Sequence, residues 1–144
     1  MSVQPSDSRV FRLEELEPNQ SFTVSQLYSD AEMDEFERLS GDHSPLHVDA
    51  AATQAYGYPD RLVYGFLFLT LLSRMVGTHL YHAVCASVAV DFVNPVYPGE
   101  TVELVATVDR IQSSLRSVVF KVRFQRGADV VGRGKLTTVF LDAR

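Results

Sequence analysis

The chain of 144 residues is 46% hydrophobic and 22% charged, with a formal net charge of −5. This length and balance predict one globular domain with its own core and exclude a disordered chain. The acidic balance argues against a nucleic-acid-binding protein, which needs a basic face to neutralise phosphates. The single cysteine, Cys85, excludes an internal disulfide framework and favours a reducing, cytoplasmic compartment.

Residues 1–10, MSVQPSDSRV, predict a loose, flexible N-terminal tail because they are polar and include Pro5. They have neither the apolar core nor the cleavage pattern of a signal peptide. The longest apolar run, around Phe66 to Leu72, is too short to cross a bilayer. We therefore expect a single domain over residues 11–144 and no membrane partner.

The next part of the chain predicts a short strand and a helix. Residues 21–26 fit the strand, and residues 29–41 fit a helix with a serine or aspartate cap at its start and a glycine at its end. Met33, Phe36 and Leu39 recur at helical spacing. They predict one narrow apolar face on this helix.

Two further helices are predicted before the middle of the chain. Asp49 can cap a short helix over residues 50–57. Residues 65–76, GFLFLTLLSRMV, form the most apolar segment and predict a helix that is buried on nearly all sides. Gly65 and Gly77 fit the start and the stop of this central helix.

The second half of the chain changes to patterns rich in Val, Thr and Phe. In residues 100–111 and 115–125, buried-type and polar residues alternate, which is typical of strands with one buried face. Residues 83–93 and 129–142 have a similar composition. The short connectors favour antiparallel neighbours, since parallel crossovers need longer connections. The order of elements predicts an α+β domain in which an antiparallel sheet curls around the apolar helix.

Residues 40–49, SGDHSPLHVD, place a carboxylate and two imidazoles around a proline. Asp42 and His47 can supply a base and a proton partner for one water, held in a rigid loop. A structural interpretation stays open, in which Asp42 caps a turn and both histidines are ordinary loop residues. We expect no metal, because Pro45 separates His43 from His47 and ligands at that spacing need a continuous helix.

The motif from residue 40 to the apolar helix resembles that of the MaoC-like, R-specific enoyl-CoA hydratases. That family has S-G-D-x-N-P-[LIV]-H-x-[DN] and, further along, a His-Gly pair that leads into the central helix. This chain has SGDHSPLHVD and then VYGFL, and its later DFVNPVYPGET is similar to the family's FxxPVxxGE. The resemblance covers residues 30–142. It implies a hotdog fold and a homodimer, or a higher homo-oligomer, with the active site near the subunit interface.

The resemblance also implies roles for individual residues. Asp42 is expected to be the principal base for the water, and His47 to help hold that water and relay the proton. The backbone N–H of Gly65 is expected to bind the thioester carbonyl oxygen, where negative charge develops. Ser73 matches a serine that hydrogen-bonds the aspartate in the family, although a helix serine bonding its own backbone explains it almost as well.

Two positions depart from the family pattern. Ser44 stands where the family has Asn, and its shorter hydroxyl cannot bridge the same contacts as an amide. Tyr64 stands where the family has His, and its larger ring alters this wall of the pocket. Both changes predict an unusual substrate or an altered activity. The remaining substrate-binding candidates are Tyr56 and Phe66 for the acyl pocket and Arg61, Arg123 and Arg126 for the coenzyme A phosphates.

The predicted activity is reversible hydration of a trans-2-enoyl thioester, or dehydration of an (R)-3-hydroxyacyl thioester, without a metal or redox cofactor. Coenzyme A is the expected carrier and is part of the substrate. Acyl carrier protein is the alternative, and the acidic chain makes it less favourable because that carrier is usually acidic too. Two other functions remain open: a hotdog acyl-CoA thioesterase and a non-catalytic acyl-thioester-binding protein.

Overall fold

One sheet of six strands, in the order β1-β2-β4-β5-β6-β3, organises the protein. The computed structural model describes residues 2–3 and 8–142. Neighbouring strands are antiparallel except β1 and β2, which run parallel. The strands are β1 Ser2–Val3, β2 Ser21–Leu27, β3 Ala83–Phe92, β4 Thr101–Gln112, β5 Ser117–Arg126 and β6 Asp129–Phe140; the α-helices are α1 Asp30–Ser40, α2 Pro45–Val48, α3 Ala50–Gln54 and α4 Gly65–His79.

The alternation in β4 and β5 places one face of the sheet in the core. Val102, Leu104, Ala106 and Val108 of β4 are fully buried. The residues between them are half-buried, and β5 likewise alternates between a buried Phe120 and an exposed Lys121. The predicted strands and their antiparallel pairing are therefore confirmed, because a period of two separates the two faces of a strand.

Helix α4 packs against β2, β3 and β4, so the expected arrangement of an antiparallel sheet around a central helix is confirmed. Two details of the predicted helix are wrong. The helix runs through Gly77 to His79, since a single glycine weakens a helix without ending it. Its burial is also one-sided: Leu71 and Met75 are fully buried, whereas Phe66 is 68% exposed.

Helix α1 begins and ends as its sequence predicts. Ser29 and Glu32 form a capping box, and hydrogen bonds from Ser29 lower the pKa of the Glu32 carboxyl. Gly41 ends the helix in the left-handed conformation, with φ of 72°. The apolar face is shorter than predicted, because Met33 is buried but Leu39 is 74% exposed.

Two residues of the predicted N-terminal tail form a short strand. Ser2 and Val3 pair with Ser21 and Phe22 of β2, so these two residues form a strand rather than a loose segment. The tail prediction for residues 1 and 4–7 lies outside the described residues. A single domain beginning at residue 11 stays a prediction. In the described ranges, no helix is long and apolar enough to cross a membrane.

Strand β3 forms one edge of the sheet. It pairs with β6 and, among the described residues, has no strand on its other side. Its side chains are exposed or half-exposed on both faces, including Val84, Val88 and Phe92. An apolar edge strand of this length is a site for pairing with another chain.

Candidate active site

His47 is held by the backbone in a defined orientation. Pro45 occupies the first position of α2, where its missing N–H is not needed, and the resulting turn carries His47 towards the segment before α4. The Nδ1 atom of His47 lies 2.8 Å from the carbonyl oxygen of Leu62. Because a carbonyl only accepts, Nδ1 donates this hydrogen bond, and Nε2 is left for another partner.

Gly65 opens helix α4 with a backbone N–H that no acceptor in the described part of the chain binds. The positive end of the helix macrodipole makes this position favourable for a developing negative charge. The ring of Phe92 lies only 3.0 Å from the point where a Cβ on Gly65 would stand. A side chain at this position would therefore require the Phe92 ring to shift by a few tenths of an ångström.

His47 and Gly65 share one open cavity of about 330 Å³. Its walls are mostly apolar and come from the loop before α4, from α4 itself and from the end of β3 with the loop that follows. Such a cavity suits an acyl group with a few polar atoms to orient it. The lining residues are His47, Tyr58, Leu62, Val63, Gly65, Phe68, Phe92, Val93, Asn94, Pro95 and Val96.

Asp42 is half-buried and lies outside the residues that line this cavity. Its Oδ1 accepts a hydrogen bond of 3.1 Å from the backbone N–H of Ser44, and its own N–H donates to Ser40 Oγ at 3.1 Å. No hydrogen bond joins the Asp42 carboxylate to His47 within residues 8–142. The local turn that the structural interpretation assigned to Asp42 is therefore present, and one oxygen of its carboxylate remains available.

Tyr64 connects the two residues. Its hydroxyl donates a 2.8 Å hydrogen bond to the backbone carbonyl of Asp42, and its ring stacks on the His47 ring with centroids 4.1 Å apart. The side chain is 1% exposed. Burial raises the pKa of this phenol, and the charges of Glu37 and Asp42 raise it further. The departure from the family's histidine thus builds a link between Asp42 and His47.

The structure does not bring every predicted residue to the cavity. Ser73 is exposed on α4 and makes no hydrogen bond to Asp42 among the described residues. The Ser44 side chain makes no capping bond to α2; only its backbone supports Asp42. Tyr56 is 75% exposed and Phe66 is 68% exposed, and neither lines the cavity.

Arg61 and Arg126 are already engaged within the chain. Arg61 pairs with Asp30 at 2.6 Å and Asp34 at 3.4 Å and also reaches the carbonyl of His47. Partial burial opposes its charge, but these carboxylates raise its pKa overall. Arg126 donates to the carbonyl of Pro95 and pairs with Glu100 and Asp129. Arg123 is exposed.

Replacing Arg61 with Met is expected to lower the free energy of unfolding by about 1–2 kcal/mol, because α1 and α2 lose their shared partner. The aliphatic stem is retained, so packing changes little. Arg123→Met is the exposed control and is expected to leave stability unchanged. Urea unfolding measures both. If Arg61→Met instead keeps full stability and weakens binding of a coenzyme A thioester, the arginine serves the ligand rather than the fold.

The candidate metal ligands stay apart. Among the described residues, no group of three or more His, Cys, Asp or Glu side chains is arranged to hold a metal ion. His43 precedes α2, and its Nδ1 contacts the Glu37 carboxylate at 2.9 Å. The His43 side chain is 71% exposed. Pro45 separates it from His47, as the sequence indicates.

Three aromatic residues that line the cavity, Tyr58, Phe68 and Phe92, are absent from the predicted site residues. The prediction names Tyr56, but Tyr58 is the residue that lines the cavity, after a turn in which Gly57 has φ of 87°. Phe92 stands two residues before the NPVYPG connector. The signal available for it is the motif itself, because Phe92 stands at the phenylalanine of FxxPVxxGE.

Comparison with known proteins agrees with this architecture. Residues 12–127 match the MaoC like domain family. The (R)-specific enoyl-CoA hydratase of Aeromonas caviae is 28% identical over 117 residues, which cover 78% of this chain and 87% of that protein. A mitochondrial 3-hydroxyacyl-[acyl-carrier-protein] dehydratase of Arabidopsis thaliana is 30% identical over 78 residues, or 54% of this chain and 47% of that protein.

The solved structure of the A. caviae (R)-hydratase superposes with a TM-score of 0.84 at 23% identity, covering 89% of this chain and 99% of that one. This likeness confirms the hotdog fold. The matched region spans about half the length of the plant mitochondrial dehydratases, 47% in A. thaliana and 54% in Solanum lycopersicum. Since the family match covers most of the chain, the protein belongs to the MaoC-like domain family, whose relatives here include hydratases and dehydratases of acyl thioesters.

Proposed function

We propose that the protein catalyses the reversible hydration of trans-2-enoyl thioesters to (R)-3-hydroxyacyl thioesters, with Asp42 and His47 activating the water. The observation that carries the proposal is the shared cavity, where the imidazole of His47 and the unbound N–H of Gly65 both border mostly apolar walls. A site that hydrates an acyl thioester needs all three features: an apolar pocket, a proton-transfer group and an oxyanion donor. The hydratase and dehydratase relatives support the same chemistry.

In the proposed reaction, Asp42 removes a proton from water while the water oxygen bonds to Cβ of the substrate. The π electrons of the Cα=Cβ bond move towards the thioester carbonyl, and the Gly65 N–H stabilises the resulting charge on oxygen. The proton held by Asp42 and His47 then passes to Cα, so one water is added and nothing is oxidised or reduced. His47 Nε2 suits the relay, because its other nitrogen is committed to Leu62.

The proposed reaction consumes only water and thioester, so we propose no metal or redox cofactor. Coenzyme A is the proposed carrier, since the A. caviae relative is named an enoyl-CoA hydratase. Acyl carrier protein is the alternative, because the A. thaliana relative is named for that carrier. Arg61 is tied to Asp30 and Asp34, which leaves it poorly placed to meet the carrier's phosphates.

The proposal is tested by following the ultraviolet absorbance of the conjugated enoyl thioester with crotonyl-CoA and longer trans-2-enoyl-CoAs. A parallel well contains a free-thiol reagent, and a second series uses enoyl thioesters of acyl carrier protein. We expect conjugation to be lost without release of thiol. Thiol release would indicate a thioesterase, and tight binding without turnover of any substrate would indicate a non-catalytic acyl-thioester-binding protein. Either result would contradict the proposal.

We also propose that two copies of the chain pair through the free edge of β3 to form a homodimer. This strand is long, its side chains are exposed on both faces, and Asp91 is its only charged residue. Natural edge strands without such a partner usually carry lysines, prolines or a covering segment. Phe92 lies at the end of β3 and on the cavity wall, so pairing would bring the second copy close to the site.

Val88→Lys is expected to shift the protein from dimer to monomer, because a charge on the edge strand opposes pairing. Val88 is 42% exposed in the single chain, so the variant does not bury a charge within its own core. Leu115→Lys is the matched control at another exposed apolar position, where the side chain is 64% exposed. Light scattering after size exclusion gives the masses. A monomeric wild-type protein, or a dimer that survives Val88→Lys, would contradict pairing through β3.

A further inference from the structure

Tyr64 is packed more tightly than a residue that merely borders a pocket. Its ring lies between His47 on one side, at 4.1 Å and an interplanar angle of 26°, and Phe36 of α1, at 4.7 Å. Its hydroxyl ends at the backbone carbonyl of Asp42, 2.8 Å away. A side chain that is 1% exposed and held at both its ring and its hydroxyl has little freedom to move.

Asp42 and His47 are also joined through the backbone of Ser44, whose N–H donates to Asp42 Oδ1 at 3.1 Å and whose carbonyl accepts from the His47 N–H at 2.9 Å. The Asp42 N–H donates to Ser40 Oγ at the end of α1. His47 is bonded to Leu62, whose own N–H donates to the carbonyl of Leu46 and so ties α2 to the segment before α4. None of these bonds joins the ring of His47 to the Asp42 segment.

Tyr64 supplies a side-chain connection between the His47 ring and the Asp42 segment, because it lies in the same segment as Leu62. That segment already binds His47 through the carbonyl of Leu62. The Tyr64 hydroxyl binds the carbonyl of Asp42 to the same segment. The acceptor is a carbonyl, so the phenol must keep its proton to make this bond. Burial and two nearby carboxylates raise its pKa, so the hydroxyl stays a donor through the neutral range.

We propose that Tyr64 is a positioning residue that sets the placement of Asp42 relative to His47, and that its hydroxyl thereby raises kcat without binding substrate. This inference rests on the proposed hydratase function. The contact that carries the inference is the 2.8 Å hydrogen bond from the Tyr64 phenol to the Asp42 carbonyl. Misplacement of a catalytic group by about 1 Å can cost on the order of a hundredfold in rate.

Tyr64→Phe is the informative variant, since it removes the hydroxyl but keeps the ring on His47. We expect kcat for enoyl-CoA hydration to fall about tenfold, with KM changed by less than about twofold. Tyr28→Phe is the matched control: Tyr28 is also 1% exposed, and its hydroxyl donates to the backbone carbonyl of Leu67 in α4 at 3.2 Å. It contacts neither Asp42 nor His47, so kcat should be unchanged at a similar cost in stability.

Amide hydrogen exchange over residues 41–44 gives a readout that needs no substrate. We expect faster exchange in Tyr64→Phe than in the wild type or in Tyr28→Phe. An unchanged kcat in Tyr64→Phe, an equal fall in kcat in Tyr28→Phe, or unchanged exchange at residues 41–44 would overturn the positioning role. If the wild type hydrates no enoyl thioester, the proposed function fails, and the exchange comparison alone then decides whether Tyr64 holds the Asp42 loop.

Discussion

Replacing Asp42 with Asn is expected to lower kcat for enoyl-CoA hydration by a factor of about 10²–10⁴, the range typical of a lost general base. The amide has nearly the same shape, and its Oδ1 can still accept the hydrogen bond from Ser44 that holds the turn. It cannot take a proton from water. The free energy of unfolding should therefore stay close to that of the wild type while the activity is lost.

His47→Ala is expected to reduce kcat over a similar range, since the proton relay and one contact to the water are removed. The controls are chosen from the same segment. Asp49→Asn alters a carboxylate that caps α3 through Ala51, and His43→Ala alters an exposed imidazole that contacts Glu37. Both controls should keep hydratase activity. Full activity in Asp42→Asn would rule out Asp42 as the base. Its role would then be the structural one of a turn residue.

Gly134→Ala is expected to lower the free energy of unfolding by about 3 kcal/mol or more. A Cβ at this position would overlap the carbonyl oxygen of Ala89 and would lie 2.8 Å from the Val90 Cα. These are backbone atoms of the paired strand, so no side chain can turn aside to relieve the overlap. Strand β3 would have to separate locally from β6, and with it the end that carries Phe92 to the cavity.

Gly77→Ala is the matched control because it makes the same chemical change where a Cβ has open space. Gly77 lies within α4, where alanine is favoured over glycine by about 1 kcal/mol, so this variant should gain stability. Urea unfolding of both proteins measures the difference. Equal stability of the two variants would mean that β3 and β6 are not held at the close spacing seen at Gly134.

Much of the fold follows from local sequence patterns. The alternation in β4 and β5 predicts which side chains enter the core, because the two faces of a strand differ every second residue. Ser29 and Gly41 mark the ends of α1, because capping depends on the residue itself and its immediate neighbours. The local pattern predicts the wrong helix end at Gly77. Packing of α4 against the sheet outweighs the weak tendency of one glycine to end a helix.

For the candidate site, too, some features follow from the sequence and others only from the tertiary structure. The sequence by itself determines the fold class, the residue types in SGDHSPLHVD and the N–H of Gly65 at the start of the helix. Only the tertiary structure decides which side chains meet: it turns Leu39, Tyr56 and Ser73 towards solvent, commits Arg61 to α1 and brings Phe92 onto the cavity wall. The link from Tyr64 to Asp42 spans 22 residues of sequence. Contacts of this kind depend on how separate segments pack in space, and residue periodicity along one segment carries no information about them.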